Sequence, residues 1–335
     1  MTFIMTNNNT HGSLVISLDY ELMWGVRDYT TPEEYGQTNV KHVPEVIARL
    51  QQLFSKYGVH ATFATVGFIF CKDKEDAIAH SPALKPTYDI KDFSPYDDEY
   101  LEKIEDKHNS LFFSPETIDS LQADPNIEVG THTFCHYYCW HDGQTLEQFD
   151  ADIKHACILA EERNLKLKSI VFPKNEVDER YLDICAKHGI TVYRGNAKRF
   201  YDNKSNKLAY FWQRICRLFD TYMKLGEHSV IRYDEIDLNA KCINIPATRF
   251  IRPFTPSLSI LEGQRLKHVK DEIEYAAKTN SLYHIWWHPH NFGTYMSQNF
   301  AFIEEVLKHY KYCHEKYGMQ SYTMAGMADY LKSIR

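Results

Sequence analysis

Asp19 with Glu21, His132 with His136, and His288 with His290 are the side chains of this sequence whose types and spacing suit hydrolytic chemistry. Each group sits where an apolar, strand-like run ends. Two imidazoles four residues apart can face one way. A carboxylate from a distant strand can then complete a three-ligand set around a divalent cation, with one position left open for water. His132 and His136 are the expected nitrogen ligands. Side chains alternate along a strand, so Asp19 and Glu21 leave the first strand on the same side. Glu21, with the longer arm, is assigned to the ion, and Asp19 takes a proton from the bound water; the residues alone leave these two roles exchangeable. His288 is the expected general acid for a leaving amine, since imidazole titrates in the right range.

Two neighbouring features compete for attention. Cys135 and Cys139 interleave with the two histidines, but four ligands crowded into eight consecutive residues cannot easily surround one ion tetrahedrally, which disfavours a closed Cys₂His₂ zinc site. Aromatic residues make up 14% of the chain, with 23 tyrosines. Flat rings stack on sugar faces or fill cores. Tyr20, Trp24, Tyr137, Tyr138, Trp140, Trp286 and Trp287 all flank the proposed site, and Trp24 and Trp287 are the expected substrate contacts.

To meet, these clusters need a scaffold that brings distant strand ends together. Periodicity along the chain alternates between strand and helix, which predicts a parallel sheet with helical crossovers. Leu14–Leu18, Val59–Val66, Ile127–Val129, Ser169–Phe172, Ile190–Tyr193 and Ser281–Trp287 read as strands. Val43–Tyr57, Thr145–Asn164, Glu176–His188, Ile260–Thr279 and Asn299–Tyr317 read as helices, and Gly58, Gly189 and Gly318 stand where helix-ending glycines belong. Residues 71–109 and 198–248 interrupt the rhythm and are expected as insertions at one rim of a single domain spanning 1–335. In such folds ligands bind outside the carboxyl ends of the strands, which is where all three clusters lie.

Composition narrows the partners. A formal net charge of −7 over 335 residues, with no Lys/Arg-rich run, argues against nucleic acid and anionic membrane surfaces. No apolar run approaches the ~18 residues of a membrane span. The N-terminus lacks a secretory pattern and the eight cysteines show no framework spacing, so a reducing cytoplasm is the expected setting.

The same residues resemble the motifs of the NodB-homology polysaccharide deacetylases. Ile16-Ser17-Leu18-Asp19-Tyr20-Glu21 is similar to the motif in which one carboxylate is the base and the next binds metal, and Ala61-Thr62-Phe63 to the second-strand signature. Gly130-Thr131-His132-Thr133-Phe134-Cys135-His136 resembles the motif supplying two metal histidines, and Trp287-His288-Pro289-His290 the closing motif with the acid histidine. The resemblance runs from Leu14 to about Tyr330. It implies a distorted (β/α) barrel of about seven parallel strands. It also implies metal-dependent removal of an acyl group from a sugar or glycan precursor during bacterial surface-polysaccharide synthesis, with Zn²⁺ as the expected ion and Co²⁺, Ni²⁺ or Mn²⁺ as alternatives. Phe172-Pro173-Lys174-Asn175 stands where the family carries an arginine that orients the base. Lys174 or Arg252 is the expected substitute, and Lys174, Asn175, Arg252 and His290 join the expected substrate contacts. Two rival readings keep the scaffold: a hydrolase of cyclic amides or imides, and a glycan-binding protein without catalysis.

Overall fold

A computed structural model describes residues 10–197, 216, 218–223 and 226–335. At its centre lies β1 (Ser13–Tyr20), buried along its whole length. Such a strand must be covered on both faces, and in a parallel sheet it therefore reads as a near-continuous apolar run. One edge of β1 pairs with β8 (Leu282–Trp287); the other is shared between β2 (Ala61–Thr65) at its carboxyl half and β9 (Gln320–Tyr322) at its amino half. The sheet continues through β3 (Ile127–Thr131), β4 (Ser169–Ile170), β5 (Val192–Tyr193) and β6 (Ile243–Asn244) on one side and β7 (Arg249–Phe250) on the other. Its order is β6-β5-β4-β3-β2-β1-β8-β7, and every pairing is parallel.

Curling of this sheet follows from chain length. Laid flat, the seven steps from β6 to β7 would span about 34 Å at the usual strand spacing. Four residues, Ile245 to Thr248, join the two strands, so Asn244 and Arg249 stand no more than about 18 Å apart. The two ends of the path must therefore swing toward each other, giving a distorted (β/α) barrel whose last pair stays unbonded among the described residues. Among the described residues nine strands enter the sheet, three more than the six read from the sequence. The three additions, β6, β7 and β9, have only two or three residues each and carry no readable period.

Helices cover the outside. Among the described residues those with bounds at both ends are, in chain order, α1 (Val43–Tyr57), α2 (Lys74–His80), α3 (Pro115–Ala123), α4 (Leu146–Glu162), α5 (Glu179–Lys187), α6 (Glu262–Thr279), α7 (Met296–Tyr317) and α8 (Met324–Ser333). Gly58 ends α1 in the left-handed conformation. A capping box between Thr145 and Gln148 starts α4. The expected helix from Glu176 begins only at Glu179, because the Asp178 carboxylate caps the backbone N–H of Arg180. Of the expected insertions, 71–109 carries α2 and several 3-10 turns. Part of 198–248 lies outside the described residues, and its described end contributes β6.

Inside the barrel, polarity changes along the strands. Val15, Ala64, Val171, Val192 and Ile243 form a small apolar cluster closed by Met324, Met327 and Leu331 of α8. Two residues further along β1 comes Ser17, then Asp19, then Glu21. All three point to the same side as Val15 by strand parity, and all are buried. The carboxyl end of the barrel is therefore polar.

Candidate metal centre and active site

The carboxyl-end polar layer is organised by a buried ion pair. Arg194, which directly follows β5, has no exposed surface. Its Nη1 donates to Asp19 Oδ1 at 2.6 Å and its Nη2 to Oδ2 at 2.7 Å, a two-pronged pair. The same guanidinium donates to Ser17 Oγ at 2.9 Å and to Asn175 Oδ1 at 2.9 Å, and stands 4.2 Å from the ring centre of Trp286. Ser17 passes its own proton to His284 Nε2 at 2.8 Å, and His284 Nδ1–H donates to the Ile245 carbonyl at 3.0 Å. That tautomer suits a neutral ring: burial, aided by the Arg194 charge, pushes His284 down to about 3. For Asp19, burial alone would favour the neutral acid, but the charges of Arg194, His288 and His132 outweigh it and hold the carboxyl below its usual value.

Glu21 sits one step above. Its Oε1 lies 2.9 Å from His132 Nε2 and 3.3 Å from His136 Nε2, and all three side chains are buried. The histidines come from the loop after β3. There Thr133 and His136 take the left-handed conformation, with φ of 65° and 61°. Thr133 Oγ1 donates to the His132 carbonyl and accepts the Tyr137 N–H at 2.7 Å, which closes the loop on itself. Burial pushes His136 down to about 4, so its ring is neutral with a lone pair to offer. Burial resists ionisation of Glu21, yet His288 and the hydrogen bonds from His132 and His136 reverse this and hold it well below the ordinary glutamate range.

This donor set fits a divalent cation. Ligands placed tetrahedrally at ~2.1 Å from zinc are separated from one another by about 3.4 Å, close to the spacings around Glu21 Oε1. One carboxylate oxygen and two imidazoles also leave a fourth vertex free for solvent or substrate. His288 faces the same point from the far side, with Nε2 at 3.7 Å from both Asp19 Oδ2 and Glu21 Oε1. Asn291 Nδ2 donates to His288 Nδ1 at 3.3 Å, and the Tyr35 hydroxyl sets that amide's orientation by donating to its Oδ1. His288 thereby presents its Nε2 to the centre.

The structure brings Asp19, Glu21, His132, His136 and His288 together and redistributes the other expected site residues. Trp24 is fully buried, its indole N–H bonded to the Phe112 carbonyl and its rings against Phe68, so it belongs to the core. Trp287 is likewise buried and stacks on Phe292, because odd positions of β8 face the helices. Trp286, of the same parity as His288, is the ring beside the centre, 5.6 Å from that imidazole. His290 is buried behind His288, stacked at 5.0 Å, and burial pushes it down to about 3. Neither expected substitute reaches Asp19. Lys174 pairs with Asp28 at 3.2 Å over the Tyr138 ring, while the charge of Arg252 acts on Tyr222 and Arg265. Asn175 instead holds Arg194. Sequence reasoning passed over Arg194 although a signal existed, a lone cation at the carboxyl end of a predicted strand.

Fold and site together define a (β/α) barrel with a carboxylate–histidine cluster at its carboxyl end. No family model matches the sequence, and no curated protein matches it. Solved structures do. One from Mycobacterium smegmatis, described as a polysaccharide deacetylase, superposes with a TM-score of 0.58 at 12% identity, over 97% of this chain and 92% of that one. Another from Pseudomonas aeruginosa PAO1, also described as a polysaccharide deacetylase, gives 0.55 at 13% identity, over 98% and 95%. A GH57-type branching enzyme from the archaeon Pyrococcus horikoshii gives 0.50 at 13% identity, over 95% of this chain and 70% of that one. The chain has the fold of the NodB-homology polysaccharide deacetylases. A fold also found in a branching enzyme does not choose a reaction; the site must.

Proposed function

We propose that this protein is a metal-dependent deacetylase that hydrolyses an N-acyl group on a sugar or glycan precursor. The observation that carries the reading is the convergence of Glu21, His132 and His136 on one point, with Asp19 and His288 beside it. Those three side chains hold the ion, Zn²⁺ by donor type, with Co²⁺, Ni²⁺ or Mn²⁺ as alternatives. Bound there, a divalent cation lowers the pKa of a water and polarises the acyl carbonyl. Asp19, kept ionised and aimed by Arg194, takes the proton from the attacking water. His288, in its protonated form, gives its Nε2 proton to the departing sugar nitrogen and is left as neutral imidazole, so the nitrogen does not have to leave as a poor anion. Trp286, beside His288, is assigned to the sugar together with Lys174 and Asn175.

Arg194 also bears on the reading of a glycan-binding protein without catalysis. That reading rests on the absent third-motif arginine, and Arg194 brings the same chemistry to Asp19 from another strand end. A role in surface-polysaccharide synthesis rests on the motif resemblance. The cytoplasmic setting is supported by eight free cysteines. No helix among the described residues is long and apolar enough to cross a membrane.

Metal analysis of purified wild type beside His132→Ala tests the foundation. One equivalent of divalent metal in wild type and its loss in His132→Ala is the expected outcome; equal content in both removes the reading. Acetate release from acetamido sugars, run against ring opening of cyclic imides, then decides the substrate class.

A further inference from the structure

Neither imidazole of the candidate metal pair is aimed by its own ring. The Nδ1 atoms of His132 and His136 are buried and have no hydrogen-bond partner among the described residues. Metal-binding histidines are usually fixed by a carboxylate or carbonyl on the second nitrogen. Here the orientation must come from the backbone that carries them, and that backbone is in an unfavourable shape. Thr133 and His136 both have positive φ, and each non-glycine residue in that region costs roughly 1–2 kcal/mol.

One buried side chain compensates. Asp152, on the second turn of α4, is 0% exposed and lies under the loop. Its Oδ2 accepts the Phe134 N–H at 2.7 Å and its Oδ1 the Cys135 N–H at 3.1 Å. These are two consecutive backbone donors, flanked by the left-handed Thr133 and His136, and they form a concave anion-binding surface of the nest kind. Without an acceptor both would be buried and unpaired. The loop's other face is held by main-chain bonds from Gly67 and Phe68 to the Thr133 and Phe134 carbonyls. An extended loop, free of left-handed residues, would not point His132 and His136 at one oxygen.

We propose that Asp152 is the positioning residue of the metal centre: its carboxylate, filling the nest formed by Phe134 and Cys135, holds the His132–His136 loop in its coordinating shape. This rests on the metal-centre reading of Glu21, His132 and His136. Asp152 touches neither ion nor substrate, and acts only through the loop.

The test uses the full chain, wild type beside Asp152→Asn and Asp152→Glu, with Zn²⁺ affinity from competition with a chromophoric chelator and the visible spectrum of the Co²⁺-loaded protein. Asparagine puts an N–H₂ group against one of the two N–H donors. Zn²⁺ affinity should fall about 10- to 100-fold in Asp152→Asn, as for other outer partners of metal ligands. The Co²⁺ bands should also shift or weaken. Asp152→Glu restores two acceptor oxygens and should recover part of both. If Asp152→Asn has a lower melting temperature but unchanged Zn²⁺ affinity and Co²⁺ spectrum, Asp152 is a stability residue only and the inference is wrong. A wild type that binds no Zn²⁺ would instead overturn the metal-centre reading, and this inference with it. Should Asp152→Asn not fold, Asp152→Ser supplies a single acceptor, and wild-type affinity in that variant would overturn the inference equally well.

Discussion

Asp19 and Arg194 are both charged and almost without exposed surface, and such a pair is sustained only when each charge is fully bonded. Every polar contact of that guanidinium has a purpose: two prongs on Asp19, one on Ser17, two on the Asn175 amide oxygen. An ammonium cannot reproduce this fork, so Arg194→Lys is not conservative. It should lower the unfolding free energy by on the order of 3 kcal/mol, read from urea denaturation; an unchanged midpoint would mean the pair contributes nothing. Asp19→Asn is its counterpart on the chemistry. Turnover should drop about 10²- to 10⁴-fold while metal stays bound, since Glu21, His132 and His136 are intact. Near-normal turnover would move the base elsewhere. At this scale the sequence was legible where parity and strand ends constrain a side chain, as for Asp19, Glu21 and His288. It was misleading where parity went unused: His288 and Trp287 are adjacent, so they face opposite ways, and Trp286 is the ring on the His288 side. Arg194 belongs to no local pattern, and its partner lies 175 residues away.

Elements were readable where a continuous apolar run or helical spacing surrounds them, as it does even for the two-residue β4 and β5. The apolar runs of β1 and β8, and the helical spacing of Val43, Val46, Ile47, Leu50 and Phe54 in α1, leave one interpretation each. The two-residue strands β6 and β7 are defined only by a neighbour's hydrogen bonds and have no period of their own. Contacts between elements were equally hidden. Gly67, in the turn after β2, lies against the His132–His136 loop so closely that a Cβ there would fall 2.7 Å from Phe134 Cδ2 and 2.8 Å from Phe134 Cα. The second of these is backbone and cannot rotate away. Gly67→Ala should therefore push the loop off β2, costing about 1–3 kcal/mol of stability, and should also reduce the rise in melting temperature that Zn²⁺ produces. A variant that melts lower yet gains as much from Zn²⁺ as wild type would show that the turn and the metal loop are not coupled.

Across the whole barrel, an apolar floor closed by α8 supports a largely buried polar layer with titratable groups, so the molecule's stability must depend on pH in a definable direction. Histidines whose folded pKa is depressed add nothing above the unfolded value of about 6.5, where both states are neutral. Below it the unfolded chain takes up protons that the folded chain refuses, and stability is lost as pH falls toward the folded pKa. His136, at about 4, and His284 and His290, at about 3, all act in this sense. Asp152 acts in the opposite sense: burial pushes its carboxyl up to about 6, so the folded state binds its proton first and gains relative stability between about pH 6 and 4. Asp19 and Glu21, held below their ordinary values, also lose on acidification, so the losing groups outnumber Asp152 and the net effect is a loss. His284 isolates the effect, because it is neither a candidate ligand nor the acid, and its neighbours are Ser17, Arg194 and the Ile245 carbonyl. Its share should reach about 2 kcal/mol at pH 5, by linkage from the reference and folded values. Melting temperatures of metal-free wild type should decline from pH 7 to 5, and His284→Gln, which can still donate to Ile245 and accept from Ser17 but cannot titrate, should decline less steeply. Parallel curves for the two proteins would mean that His284 is protonated in the folded state, and the neutral tautomer drawn behind Arg194 would have to be abandoned.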